Sequence, residues 1–261
     1  MSEESPAPIA TADKFKREAI EFVRFILGAA VVFLIITTLA FRTFYIPSSS
    51  MEPTLEVEDR VIVLNFVYGW SRHSLQFGLG AGLPAGEGRI LGGLPKRGDV
   101  IVFRHPERRE HLIKRVIGVP GDEIQVREGR LYINGEIVPR DLRGSITYRD
   151  RQDRVVSPNL YEETLPGGRR HLIYEDSDRY DEEAFTPFGV DDTEVFPVPE
   201  HHVFVMGDNR DHSQDSRSDL GAVPTEYIVG RAVTVLFTLH RCRAEPSLSC
   251  PRVWDRMWRG L

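Results

Sequence analysis

The sequence predicts a mainly β protein: an antiparallel β domain carrying an inserted polar subdomain, preceded by one N-terminal transmembrane helix. Three observations predict it. Residues Phe25 to Phe41 (FILGAAVVFLIITTLAF) form an uncharged, mostly apolar run of near-spanning length. Beyond Tyr45 the chain breaks into short β-type runs separated by Gly, Pro and Asp. Helical periodicity is scarce in that part, as an antiparallel β architecture requires.

Composition narrows the function classes. The 261 residues are 41% hydrophobic and 28% charged, enough for one large or two small water-soluble domains. A formal net charge of -6 offers no strongly basic face for phosphates and argues against a nucleic-acid partner. The two cysteines, Cys242 and Cys250, form no CxxC pattern, so a cysteine-based zinc site and a thioredoxin-type redox site drop out. Their spacing leaves a disulfide and two free thiols equally open.

The apolar run is bracketed by Arg24 and Arg42, and Phe41, Phe44 and Tyr45 suit the headgroup region. Lys14, Lys16, Arg17 and Arg24 precede it, whereas Arg42 stands alone until Arg60. By the positive-inside rule, residues 1–24 are cytoplasmic, 25–41 anchor the chain, and 42–261 are exported. In a cell with an inner membrane the exported part would face the periplasm. A cleavable signal peptide competes, because Thr38-Leu39-Ala40 loosely resembles a small-x-small site, but the apolar run exceeds the usual length of such a segment.

Strands are expected over Arg60–Val67, Asp99–Arg104 and Leu112–Val119. Glu123 to Val138 reads as a meander, with Glu128-Gly129 and Asn134-Gly135 as tight turns. Val203–Met206 and Ile228–Leu236 complete the set. Two stretches look like insertions: about 70–96, rich in Gly, Leu and Pro, and about 140–200, dense in Asp, Glu and Arg. At the C-terminus Trp254, Met257, Trp258 and Leu261 recur at helical spacing, suggesting a short amphipathic helix that packs on the domain or touches the bilayer.

Three local sequences carry chemistry. Ile46-Pro47-Ser48-Ser49-Ser50-Met51-Glu52-Pro53-Thr54-Leu55 follows the apolar run. Lys114-Arg115-Val116-Ile117-Gly118-Val119-Pro120-Gly121-Asp122 lies on an expected strand, and Gly207-Asp208-Asn209-Arg210-Asp211-His212-Ser213-Gln214-Asp215-Ser216-Arg217 comes last. A serine hydroxyl needs a base to become a nucleophile. On a strand Lys114 shares a face with Leu112 and Val116, and desolvation there lowers a lysine's pKa toward neutrality. Taken singly, Lys114 reads equally well as a strand-end lysine in solvent, and the serine run as turn chemistry.

Together and in this order, the three segments resemble the type I signal peptidase family, the bacterial leader peptidases. The resemblance covers the anchor, Ile46–Leu55, Arg60–Gly69, Arg97–Pro106, Lys114–Asp122 and Gly207–Pro224. It implies a membrane-bound serine endopeptidase that removes signal peptides after small-x-small sites, using Ser50 as nucleophile and Lys114 as general base. It implies an oxyanion-hole hydroxyl at Ser48, although Ser49 stands where the family often has Gly. It further implies that Ser213 orients Lys114 by a hydrogen bond, that Asp215 and Arg217 form a supporting ion pair, and that Asp208 and Asn209 shape a turn. Phe44, Ile46 and Ile113 are placed to line shallow substrate pockets. No metal or cofactor is implied; the partners are preprotein signal peptides, the lipid bilayer and, by proximity, the export translocon.

Rival chemistries fit less well. His212 could belong to a Ser-His-Asp hydrolase, yet no Gly-x-Ser-x-Gly elbow is present. His201 and His202 would point to opposite faces of a strand, a poor start for a metal site. A non-enzymatic tethered module would not need both Ser50 and Lys114. A specialised relative maturing pilin-like subunits stays open.

Overall fold

A computed structural model describes residues 9–75, 79–83, 89–149, 155–176, 191–238 and 256–261. The chain divides into two units, Met1–Ala40 and Phe41–Leu261. The first is a helix, α1 (Ile9–Leu39), built from Ala, Leu, Ile, Val and Phe without an internal proline. Within its Lys14–Leu39 stretch an 18-residue window reaches a mean hydropathy of 2.4, so the helix is long and apolar enough to cross a membrane. The helix ends at Leu39, two residues short of the expected edge at Phe41.

The second unit runs β1 (Phe41–Tyr45), β2 (Asp59–Leu64), β3 (Val100–Arg104), β4 (His111–Gly118), β5 (Glu123–Arg127), β6 (Arg130–Ile133), β7 (Glu136–Ile137) and β8 (Arg140–Ser145). It continues through β9 (Tyr148–Arg149), β10 (Val155–Val156), β11 (Asn159–Thr164), β12 (Arg170–Glu175), β13 (Phe196–Pro197), β14 (His202–Met206), β15 (Val223–Pro224) and β16 (Ile228–Thr238). Among the described residues, the main sheet has the order β1-β2-β16-β3-β4-β14-β15. The aromatics Phe41, Phe44 and Tyr45 thus sit in β1, in register with Leu64, Val61 and Arg60 of β2. Aromatic and β-branched residues favour a pleated surface, and this pairing holds them in a strand.

The expected meander forms as β5-β6-β7. Glu128, Gly129, Asn134 and Gly135 all take the left-handed conformation that two-residue hairpin turns of this type require. The described residues of the polar stretch expected as an insertion include sheet. There β8, β11 and β12 form a three-stranded sheet, β9 pairs with β10, and β13 joins the meander.

Three apolar clusters hold the domain together. One gathers Ile46, Met51, Leu55 and Ile113 with residues of β2, β3 and β16. Another fills the space over the meander. The third takes Ile101, Phe103, Val116, Val203 and Val205, with Leu112 packed against it. The described C-terminal residues close on this domain: Gly260 bridges to Thr234, and Leu261 packs on the first cluster. Arg256 is buried against Glu56 at 2.9 Å and against Asp59. The docking reading of the C-terminus therefore fits Leu261, while Trp258 is exposed and Trp254 lies outside the described residues. Cys242 and Cys250 also lie outside them.

Candidate active site

The turn after β1 is pinned from below by Met51 and Leu55, both fully buried in the first cluster. Leu55 N–H donates to Met51 O at 2.8 Å and Glu52 N–H to Ser49 O at 3.0 Å, closing the turn. From above, Asn209 N–H donates to Ser50 O at 3.1 Å and Asn209 Nδ2 to Ser49 O at 3.2 Å. Gly207 makes this approach possible: a Cβ there would collide with Ser50 O and Ser213 Oγ. Glycine is required here for close passage of two backbones.

β4 carries Lys114 to this turn. Lys114 Nζ donates to Ser50 Oγ at 2.6 Å, and the two residues are 3% and 6% exposed. The face predicted for Lys114 is apolar: its neighbours Leu112 and Val116 belong to the third cluster, and Ile101 lies opposite it on β3. Burial lowers the Lys114 pKa to about 8, with Asp215 and Asp208 opposing that shift and Arg217 assisting it. Near that pH the amine exists in both forms. The neutral form reverses the bond, so that the Ser50 hydroxyl donates to a nitrogen able to accept its proton.

Asp215 and Arg217 form the expected ion pair, with Nε–Oδ1 and Nη2–Oδ2 both at 2.9 Å. Burial pushes the Asp215 carboxyl up, but Arg217, the Gly207 N–H and nearby Ser213 outweigh it and hold it below the usual range. Ser48 Oγ lies 3.4 Å from Ser50 Oγ on the exposed side of the turn. Phe44 is half-buried against the first cluster, its ring 5.4 Å from His111, and Ile46 and Ile113 lie inside that cluster.

One expectation requires correction. Ser213 makes no hydrogen bond to Lys114; its Oγ is fully buried beside Gly207 with no partner of good geometry. Lys114 Nζ is hydrogen-bonded to Ser50 Oγ, and Ser213 instead helps to hold the Asp215 carboxyl below its usual range. His212 Nε2 lies 3.0 Å from Asp176 Oδ2. Among the described residues, no three His, Cys, Asp or Glu side chains gather as a metal site.

Sequence reasoning missed the polar layer behind the site. Arg115 grips Asp208 with two bonds of 2.8 and 2.6 Å and also donates to Gly98 O and Thr54 Oγ1. One guanidinium thereby ties all three motifs together, and Asp208 is a counter-ion as well as a turn residue. Arg210 binds Glu163 of β11 through both of its terminal nitrogens, one at 2.9 Å. His171 of β12 is buried 3.4 Å from Glu163 and 3.9 Å from Asp208. Burial and the charges of Arg115, Arg210 and Arg169 drive its pKa well below normal, so it is neutral there. A dense Asp/Glu/Arg composition announced charge in this stretch, but not that it turns inward.

The family described as "Signal peptidase, peptidase S26" matches residues 19–237. A signal peptidase I of Rickettsia bellii (strain OSU 85-389) is 37% identical over 224 residues, covering 85% of this chain and 74% of the relative. A signal peptidase I of Pseudomonas aeruginosa is 36% identical over 240 residues, covering 87% of this chain and 76% of the relative. The N-terminal apolar helix fits the membrane-anchored character of such a protein. The chain belongs to the signal peptidase family, peptidase S26, and is a serine endopeptidase of signal-peptide processing.

Proposed function

We propose that Ser50 is the nucleophile and Lys114 the general base with which this chain removes signal peptides from preproteins. The observation that carries the reading is the 2.6 Å contact between Lys114 Nζ and Ser50 Oγ, buried and without a carboxylate hydrogen-bonded to the amine. Neutral Lys114 takes the hydroxyl proton as Ser50 Oγ attacks the carbonyl carbon of the signal peptide's last residue. The oxyanion is met by Ser48 Oγ and the Ser50 N–H. Collapse of the tetrahedral species breaks the C–N bond, and Lys114 returns the proton to the departing amine. Water, deprotonated by Lys114, then hydrolyses the acyl-enzyme and restores Ser50. The Asp215–Arg217 pair keeps Asp215 from holding Lys114 in its charged form.

β14 pairs with β4 only from Arg115 to Gly118, so His111–Lys114 has β3 as its neighbour on one side alone. That edge suits an extended substrate strand, and Phe44, Ile46 and Ile113 beside it would form pockets for the small side chains of a small-x-small site. On this reading residues 1–24 are cytoplasmic, α1 crosses the inner membrane, and residues 42–261 work on its outer side. There they would meet preproteins at the bilayer surface as these leave the translocon. Incubating the full-length, membrane-embedded chain with a preprotein tests the assignment: wild type yields mature product and Ser50→Ala yields none. Equal product from both would remove Ser50 from the mechanism.

A further inference from the structure

Two residues past Ser50, Glu52 buries a carboxylate for which the reaction has no use. Its Oε2 accepts a 2.9 Å hydrogen bond from the Tyr148 hydroxyl, which arrives from β9 in the inserted region. The Tyr148 ring stacks on Tyr174 of β12, with centroids 6.0 Å apart and planes 27° apart. Tyr174 is fixed in turn, donating N–H to Asp208 O and accepting from Arg210 N–H, both at 2.9 Å. Asn209, between those two, is the residue that holds Ser50 O and Ser49 O. The contacts therefore close a ring: Ser50 turn, Glu52, Tyr148, Tyr174, Asn209 and back to Ser50.

The charges around this ring make its state depend on pH. Burial pushes Glu52 up to about 7; Glu56 adds to that rise, while Tyr148, Arg256 and His212 oppose it. Asp176 is the further charge facing Tyr148. Lys114 loses its proton at about 8, so the enzyme reaches its reactive state when Glu52 is already an anion. A buried anion needs a donor, and hydrogen bonds to charged groups are the stronger kind. Without the Tyr148 hydroxyl, the carboxylate would keep its proton or turn toward water, pulling on the turn that aims Ser50.

We propose that Glu52 and Tyr148 are positioning residues for the nucleophile: the Tyr148 hydroxyl holds the Glu52 carboxylate so that Ser50 Oγ stays aligned with Lys114. The proposal rests on the Ser50–Lys114 reading and adds to it a tie supplied by the inserted β-structure. The test measures kcat and KM of the full-length chain on a preprotein from about pH 6 to about pH 9. It compares wild type, Tyr148→Phe, Glu52→Gln and the double variant, with Ser50→Ala alongside. Tyr148→Phe lowers kcat by about tenfold near pH 9 and about twofold near pH 6, with KM changed by less than about twofold. Adding Glu52→Gln to Tyr148→Phe restores most of the loss near pH 9, because no charge is left without its donor. An equal loss at both pH values, or a double variant no better than Tyr148→Phe, overturns the tie. Product from Ser50→Ala would instead defeat the catalytic reading, so the two failures are told apart.

Discussion

Lys114 and Arg115 are neighbours on one strand, both 3% exposed, yet they meet opposite surroundings. Arg115 is well partnered: Asp208 holds it with two bonds, and Gly98 O and Thr54 Oγ1 take further hydrogens. Lys114 is offered a serine hydroxyl and no carboxylate bond, because Asp215 is claimed by Arg217 and Asp208 by Arg115 itself. A buried charge with a partner is structural; one deprived of a partner is pressed toward neutrality. The polar layer behind the site thus does two things at once. It ties the motifs together, and it occupies the anions that would otherwise keep Lys114 charged.

This contrast can be broken from either side. The largest effect should come from Lys114→Arg, which places a guanidinium that cannot surrender its proton beside Ser50. Preprotein cleavage should fall by about 10⁴-fold or more in kcat/KM while circular dichroism shows a folded domain. On the other side, Asp208→Ala strands Arg115 in the interior. Urea unfolding of the variant should show a loss of about 3–5 kcal/mol, and a loss below about 1 kcal/mol would deny Arg115 its structural role. Ser48→Ala removes the hydroxyl proposed to meet the oxyanion, on the exposed side of the turn. It should cost about 10²-fold in kcat with little change in unfolding.

The smallest effect carries the sharpest sign. Lys114 has a folded pKa of about 8, lowered by burial from the ordinary lysine value of 10.5. Below the folded value both states hold the proton, and the folded state bears the full cost of a buried ammonium. Between the two values the unfolded chain binds more protons, so stability rises with pH and the cost is gone above the unfolded value. Lys114→Met should therefore be more stable than wild type near neutral pH, on the order of 2 kcal/mol, and the gain should vanish toward about pH 11.

The two halves of the contrast were not equally legible in the sequence. Ser50 and Lys114 were assigned because three local motifs resemble those of the signal peptidase family, and the alternation of Leu112, Lys114 and Val116 on a strand supplied an apolar face for the lysine. The partner of Arg115 lies 93 residues away. Nothing in a Lys-Arg pair says which cation will be claimed; that depends on how β4 and β14 register. Ser213 was assigned a bond it does not make for the same reason: residue type was visible, but side-chain direction beside Gly207 was not. The segment read as a polar insertion hid the most, since Tyr148, Glu163 and His171 look like surface composition until β8, β11 and β12 pair. β1 was hidden differently. Its aromatics suit a membrane interface as well as a strand, and only the register with β2 decides.

The central claim is that Lys114 is neutral when the enzyme works, because its surroundings withhold a counter-ion. The pH dependence of kcat/KM for preprotein cleavage by the full-length chain tests it most directly. The account predicts activity that rises with pH through a single ionisation near 8, as Lys114 loses its proton. A rise that continues to about pH 10 or beyond, the range of an ordinary lysine, would contradict it.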